Sequence, residues 1–197
     1  QIVDIYSSII ERYPDTAALY RTRGYALTEL GQLDRAIADY TQAITLEPQC
    51  AAAYDSRGIA HQHAGHSAAA REDFDEAIRL APERAGPYNN RGALLIQIRA
   101  WPQAVADLTT ACALEPDWHE PFANLGLAYL GAGQPQDAQR AFSQALARCP
   151  DCADVLLKRG MLSLWSHDLS NAIVDFTAAI ESASPCTTPC SGVGSDV

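Results

Sequence analysis

One pattern returns five times at an unbroken step of 34 residues, and it constrains everything else this chain can be. Gly24, Gly58, Gly92, Gly126 and Gly160 mark it, as do two alanine series, Ala36, Ala70, Ala104, Ala138, Ala172 and Ala43, Ala77, Ala111, Ala145, Ala179. Large apolar residues keep the same step at Tyr20, Tyr54, Tyr88, Phe122 and Leu156, and again at Tyr40, Phe74, Leu108, Phe142 and Phe176. Prolines punctuate at Pro14, Pro48, Pro82, Pro116 and Pro150. A unit of this length cannot bury its own apolar face, so neighbours must stack into one continuous core. Small residues let helix backbones approach, large ones fill the space between, and proline ends each unit because it cannot continue a helix. Packing accounts for all of these positions.

The period and the order of the Gly, Ala, aromatic, Ala and Pro slots resemble the tetratricopeptide repeat, in an Arg-Gly variety, over residues 1 to about 183. The resemblance implies an all-α fold, a right-handed superhelical solenoid of antiparallel helix pairs. It divides the chain into residues 1–16, the second helix of a truncated repeat, then five repeats at 17–50, 51–84, 85–118, 119–152 and 153–183, and a loop-like or disordered tail at 184–197. Ile2, Tyr6, Ile9 and Pro14 occupy second-helix slots, while at the other end Ser184 takes the proline slot and Pro185 comes one residue late. No polar capping helix follows, and solenoids need polar caps. The expectation is a segment of a longer array or larger protein, with uncapped ends through which copies can self-associate.

A charge pair varies together among the copies. Arg23, Arg57, Arg91 and Arg159 stand immediately before the glycine, and the same four repeats carry Asp39, Asp73, Asp107 and Asp175 sixteen residues later. In the fourth repeat both charges vanish together, leaving Leu125 and Ala141. This predicts an Arg–Asp bridge between the two helices of each such repeat, fixing register more than adding stability.

The resemblance also implies that first helices line a concave groove whose outward slots carry the specificity. Those slots hold Arg21, Thr22 and Tyr25, then Asp55, Ser56 and Gln62, then Asn89, Asn90 and Gln97, then Asn124, Leu127 and Leu130, and finally Lys158, Met161, Leu164 and Trp165. The face runs from polar to apolar. Asn90 and Asn124 sit in equivalent slots, and an amide both donates and accepts, so the pair can hold the backbone of an extended peptide without reading its side chains. Such an asparagine ladder is known in the repeat region of O-linked N-acetylglucosamine transferase. The family's carboxylate clamp needs Lys, Asn, Asn, Lys and Arg, where this chain has Asn89, Ala93, Asn124, Asp154 and Lys158. Asp154 would repel a carboxylate, so that co-chaperone role is disfavoured.

Cys149-Pro150-Asp151-Cys152 has a spacing that can ligate zinc, and Cys186 and Cys190 follow about one period later. Cys50 shares the slot of Cys152 without any partner, which favours plain free thiols over a metal or a disulfide. His61 and His63 are two residues apart and point to different sides of a helix, and His66 lies near a turn, so packing is the favoured reading there.

Composition closes off other classes. With 14 Lys+Arg against 24 Asp+Glu and a formal net charge of −10, the chain lacks the positive field that nucleic acids and anionic membranes require. No apolar run reaches the ~18 residues of a membrane span. The six cysteines are too sparse for a disulfide scaffold, and the favoured compartment is a reducing, cytoplasmic one. There is no phosphate loop, no G-x-S-x-G elbow and no H-E-x-x-H, so neither enzyme nor cofactor is expected. The sequence reads as a protein-interaction scaffold that takes a peptide or short helix in its groove. Two alternatives stand beside it: the substrate-recognition arm of a larger enzyme such as a glycosyltransferase, and a structural assembly element.

Overall fold

The computed structural model describes residues 2–183, and these form helices joined by short turns. In chain order they are α1 (Ile2–Arg12), α2 (Ala17–Glu29), α3 (Leu33–Leu46), α4 (Ala51–His63), α5 (Ser67–Leu80), α6 (Ala85–Gln97), α7 (Trp101–Leu114), α8 (His119–Gly131), α9 (Pro135–Arg148), α10 (Ala153–Trp165) and α11 (Leu169–Ala183). Even-numbered helices are the first members of antiparallel pairs, and each pairs most extensively with the helix that follows it. Each second helix then packs on the first helix of the next pair, so the pairs stack into a right-handed all-α solenoid. The tail, residues 184–197, lies outside the described residues, and with it Cys186 and Cys190.

Two helices of a pair meet at positions sixteen residues apart. A Cβ added at Gly58 would come within 2.6 Å of the Phe74 ring, and one at Gly126 within 2.5 Å of the Phe142 ring. The same approach joins Gly24 to Tyr40, Gly92 to Leu108 and Gly160 to Phe176. Ala36, Ala70, Ala104 and Ala138 are wholly buried beside these contacts, where any larger side chain would push the helices apart.

The arginine before each glycine closes the polar side of the same interface. Arg23 Nε and Nη2 donate to the two oxygens of Asp39 at 2.7 and 2.6 Å. Arg57 does the same to Asp73 at 2.9 and 2.7 Å, Arg91 to Asp107 at 2.7 Å twice, and Arg159 to Asp175 at 2.9 and 2.6 Å. These carboxylates are buried, Asp175 only 2% exposed, so the bidentate fork is what makes their burial tolerable.

Each arginine also reaches backward with a third nitrogen. Nη1 of Arg23 donates to Ser7 Oγ at 3.0 Å, that of Arg57 to Thr41 Oγ1 at 3.1 Å, that of Arg91 to Asp75 Oδ1 at 2.6 Å, and that of Arg159 to Ser143 Oγ at 3.2 Å. All four acceptors stand on the second helix of the preceding pair. Tyr20, Tyr54 and Tyr88 roof the guanidinium groups of Arg23, Arg57 and Arg91 with ring centroids 5.6–5.9 Å away. The arginine therefore ties its own pair together and ties that pair to its predecessor.

The turn inside each pair needs one left-handed residue. Gly31, Gly65 and Gly133 supply it with φ of 69°, 78° and 75°, and the chain then closes back through bonds such as Gln32 N to Leu27 O at 2.9 Å. Arg99 and His167 hold the equivalent turns with φ of 61° and 60°, a conformation that costs a side-chain-bearing residue energy.

The last helix is different from its copies. Ile180 is 68% exposed, whereas its equivalents Leu146 and Cys112 are 7% and 8% exposed because the following pair covers them. Leu169, Ile173 and Val174 are likewise exposed on α11, as are Ile2 and Ile5 on α1.

Two stability experiments test this packing. Arg91→Leu strands the buried Asp107 carboxylate and should cost about 3–5 kcal/mol. Arg91→Leu with Asp107→Ala, the combination already present at Leu125 and Ala141, should cost much less in chemical denaturation. Equal losses would mean the pair is not coupled. Arg99→Gly should stabilise the fold by about 0.5–1 kcal/mol by relieving the left-handed turn, measured as a rise in the denaturation midpoint.

Candidate functional site

The first helices α2, α4, α6 and α8 pack successively on one another, and polar side chains bridge α4 to α6 and α6 to α8. Asn90 Nδ2 donates to Asp55 Oδ1 at 2.9 Å, and Asn124 Nδ2 donates to Asn89 Oδ1 at 2.9 Å. Asn89 in turn gives its own amide hydrogen to Glu120 Oε1 at 3.4 Å. The two equivalent rungs, Asn90 and Asn124, are thus each tied to the preceding first helix. Asn89 is 1% exposed and spends both ends of its amide on α8. It is not on the groove surface, which corrects its sequence assignment. The sequence fixes its angle around α6 but not how closely the start of α8, with buried Pro121 and Phe122, leans over it.

Asp55, which accepts from Asn90 in this row, is shifted by its surroundings. Burial pushes its carboxyl above the ordinary range, and the Asn90 amide and the Arg84 charge pull it only partly back. Its folded form therefore holds a proton to higher pH than its unfolded form. That linkage makes stability fall as pH rises from the ordinary carboxyl range through the folded pKa.

The other residues that the sequence assigns to the groove fall into three settings. Tyr25 is 63% exposed, and with Arg21, Thr22, Ala52 and Ser56 it borders a shallow cavity of about 310 Å³ between α2 and α4. Arg21 also donates to Cys50 Sγ at 3.1 Å. Gln62 is half-buried and Gln97 exposed. Leu127 and Leu130 are half-buried against the core, while Met161, Leu164 and Trp165 of α10 stand 47%, 45% and 66% exposed. Lys158 pairs with Asp154 one turn before it on α10, so its charge is already answered locally.

The histidines and cysteines are arranged in ways that spacing alone did not show. His61 and His66 approach with their Nδ1 atoms 3.3 Å apart, and His61 Nε2 lies 4.0 Å from Asp73, while His63 faces solvent. Burial is the main reason the His61 pKa is lowered. Cys112 is buried and its thiol is pushed up to about 11 by desolvation. Cys149 and Cys152 are free, half-buried thiols in contact, and His119 joins them: the donor atoms of all three lie within 4.8 Å of one another. Sequence spacing does not single out His119, since nothing at its slot in the other repeats signals a ligand.

Comparison with known proteins agrees with this architecture. The TPR repeat model matches residues 24–65, and the Tetratricopeptide repeat model matches residues 124–185. The chain belongs to the tetratricopeptide-repeat family. No curated protein matches the sequence. Among solved structures, it resembles YrrB, described as a TPR protein with an unusual peptide-binding site, at 22% identity over 90% of this chain and 92% of that one, with a TM-score of 0.68. It resembles MamA from Desulfovibrio magneticus RS-1 at 24% identity over 84% and 93%, TM-score 0.74. The Pseudomonas aeruginosa PilF structure matches at 21% identity over 86% and 77%, TM-score 0.80. These likenesses establish the fold, and it is membership of the tetratricopeptide-repeat family that supports a protein-interaction scaffold role. No helix among the described residues is long and apolar enough to cross a membrane.

The electrostatics of Asp55 give a direct experiment. Asp55→Asn keeps an oxygen for the Asn90 amide and removes the buried charge. The variant should melt higher than the wild type near neutral pH, with the difference closing as pH falls into the ordinary carboxyl range. Thermal denaturation across that range checks it, and a pH-independent difference would contradict the assignment.

Proposed function

We propose that the protein is an interaction scaffold that takes an extended peptide or short helix of a protein partner in the groove of its first helices. The observation that carries this reading is the exposed pair Met161 and Trp165, one turn apart on α10, with half-buried Leu127 and Leu130 on the preceding first helix, α8. Large apolar side chains left to solvent on a helix of an otherwise well-packed array mark a contact surface. YrrB, which shares this fold, is described as having an unusual peptide-binding site, and this supports a peptide as the class of ligand.

The groove offers two chemistries along its length. At the N-terminal end Arg21, Tyr25 and Gln62, with Gln97 further along, present donors and acceptors. At the C-terminal end Met161, Leu164 and Trp165 offer an apolar anchor. Asn90 and Asn124 are half-buried and already bonded across helices, so they set the spacing of the first helices and present only their remaining edges to a ligand. Asn89 has no such role. The ligand that fits best is polar at one end and carries one or two large apolar side chains at the other.

Selection of peptides from a displayed library tests this. Selected sequences should share an apolar anchor, and Trp165→Ala with Met161→Ala should weaken their binding at least about tenfold, an amount in the range of an interface hot spot. Arg79→Ala, a change on the exposed side of α5, serves as the control and should leave binding unchanged. Peptides that bind the double variant as well as the wild type would overturn the groove reading.

A further inference from the structure

The turn between α9 and α10 places two sulfurs and an imidazole together at one edge of the solenoid. Cys149 caps the end of α9, Cys152 precedes the first residue of α10, and His119 is the first residue of α8. Cys149 N bonds to Ala145 O at 3.0 Å and Cys152 N to Cys149 O at 3.3 Å, so the backbone of the turn is fixed on both sides of Pro150. Arg148 fastens the neighbouring segment. Its guanidinium lies 3.8 Å from the centre of the Phe122 ring and donates to the carbonyl of Pro116, which ties the segment leading into His119 to the end of the helix that carries Cys149.

We infer that His119, Cys149 and Cys152 form a zinc-binding site with three protein donors and a fourth position open to solvent or an added ligand. Donor atoms within 4.8 Å of one another match a tetrahedral ion with zinc–sulfur bonds of about 2.3 Å and zinc–nitrogen bonds of about 2.0–2.1 Å after small side-chain rotations. Two thiolates and an imidazole are a borderline-soft set, suited to zinc over calcium or magnesium. Binding converts two thiols to thiolates, so two protons leave as the ion enters and affinity falls in acid.

The fold does not need these residues. The same three slots hold Ala17, Glu47 and Cys50 in the first pair, Ala51, Ala81 and Arg84 in the second, and Ala85, Glu115 and Trp118 in the third. Each of those pairs builds the same turn without a ligand set. The constellation at residues 119, 149 and 152 is therefore additional to packing. A metal there joins the start of one first helix to the start of the next, spanning a boundary between pairs.

The experiment uses the full chain, reduced and stripped with a chelator, titrated with zinc in competition with a chromophoric chelator, and separately with cobalt. The wild type should bind one equivalent, show visible cobalt bands of tetrahedral thiolate ligation, and melt higher with zinc. Cys149→Ser and Cys152→Ser should each abolish stoichiometric binding. His119→Ala should weaken it at least about tenfold, as expected when one of three donors is lost. Circular dichroism should show all variants folded, since the other pairs tolerate non-ligands in these slots. Cys186→Ser with Cys190→Ser should still bind one equivalent. No stoichiometric zinc in the reduced wild type overturns the proposal. So does retention in His119→Ala with loss in the Cys186/Cys190 variant, because the metal would then belong to a four-thiolate site. The groove reading is independent of either result.

Discussion

Everything above the level of a single helix depends on where a guanidinium group sits. Arg23, Arg57, Arg91 and Arg159 each satisfy a buried carboxylate with two nitrogens and reach the preceding pair with a third. A lysine has neither the fixed fork nor the reach in two directions. The aspartates are nearly inaccessible to water, so a pair assembled one residue out of register would bury an unanswered charge. The glycine beside each arginine enforces the same register sterically, because any other side chain there strikes the residue sixteen positions on. A polar and an apolar lock thus act on adjacent residues of one helix and give the same answer.

That agreement explains why the fold was so legible in the sequence. A strict period, the small–large complementarity at sixteen residues, and the joint loss of charge at Leu125 and Ala141 all report contacts inside one repeat. The backward arm of the arginine was less visible. Its acceptors, Ser7, Thr41, Asp75 and Ser143, share only the possession of an oxygen, and Thr109 keeps its hydroxyl in the copy that has no arginine to use it. A slot that does not change when its partner changes leaves no mark of the contact.

The exposure of the first-helix residues was legible in outline and not in detail. Slot position separates the faces of a helix, and it correctly puts Tyr25, Met161 and Trp165 in reach of solvent. It does not say how far the neighbouring helix leans across, which is why Asn89 is buried between α6 and α8. Nor does it join residues that have no counterpart in other repeats. His119 is thirty residues from Cys149 in the chain and stands alone in its slot, so a periodic reading passes over it, while the stacked helices bring the two into contact.

The fourth pair shows that two physically different fastenings can occupy one position. Where its neighbours carry a bridge, it carries buried Leu125 and Ala141 inside the most extensive apolar cluster, which runs from Leu95 to Ala179. Hydration of apolar surface gives that fastening a large heat capacity and makes it weaken on cooling, whereas an ion pair with hydrogen bonds responds to cold far less. At this one position the fourth pair should therefore lose more of its fastening on cooling than the pairs on either side, although the same apolar cluster runs through all three.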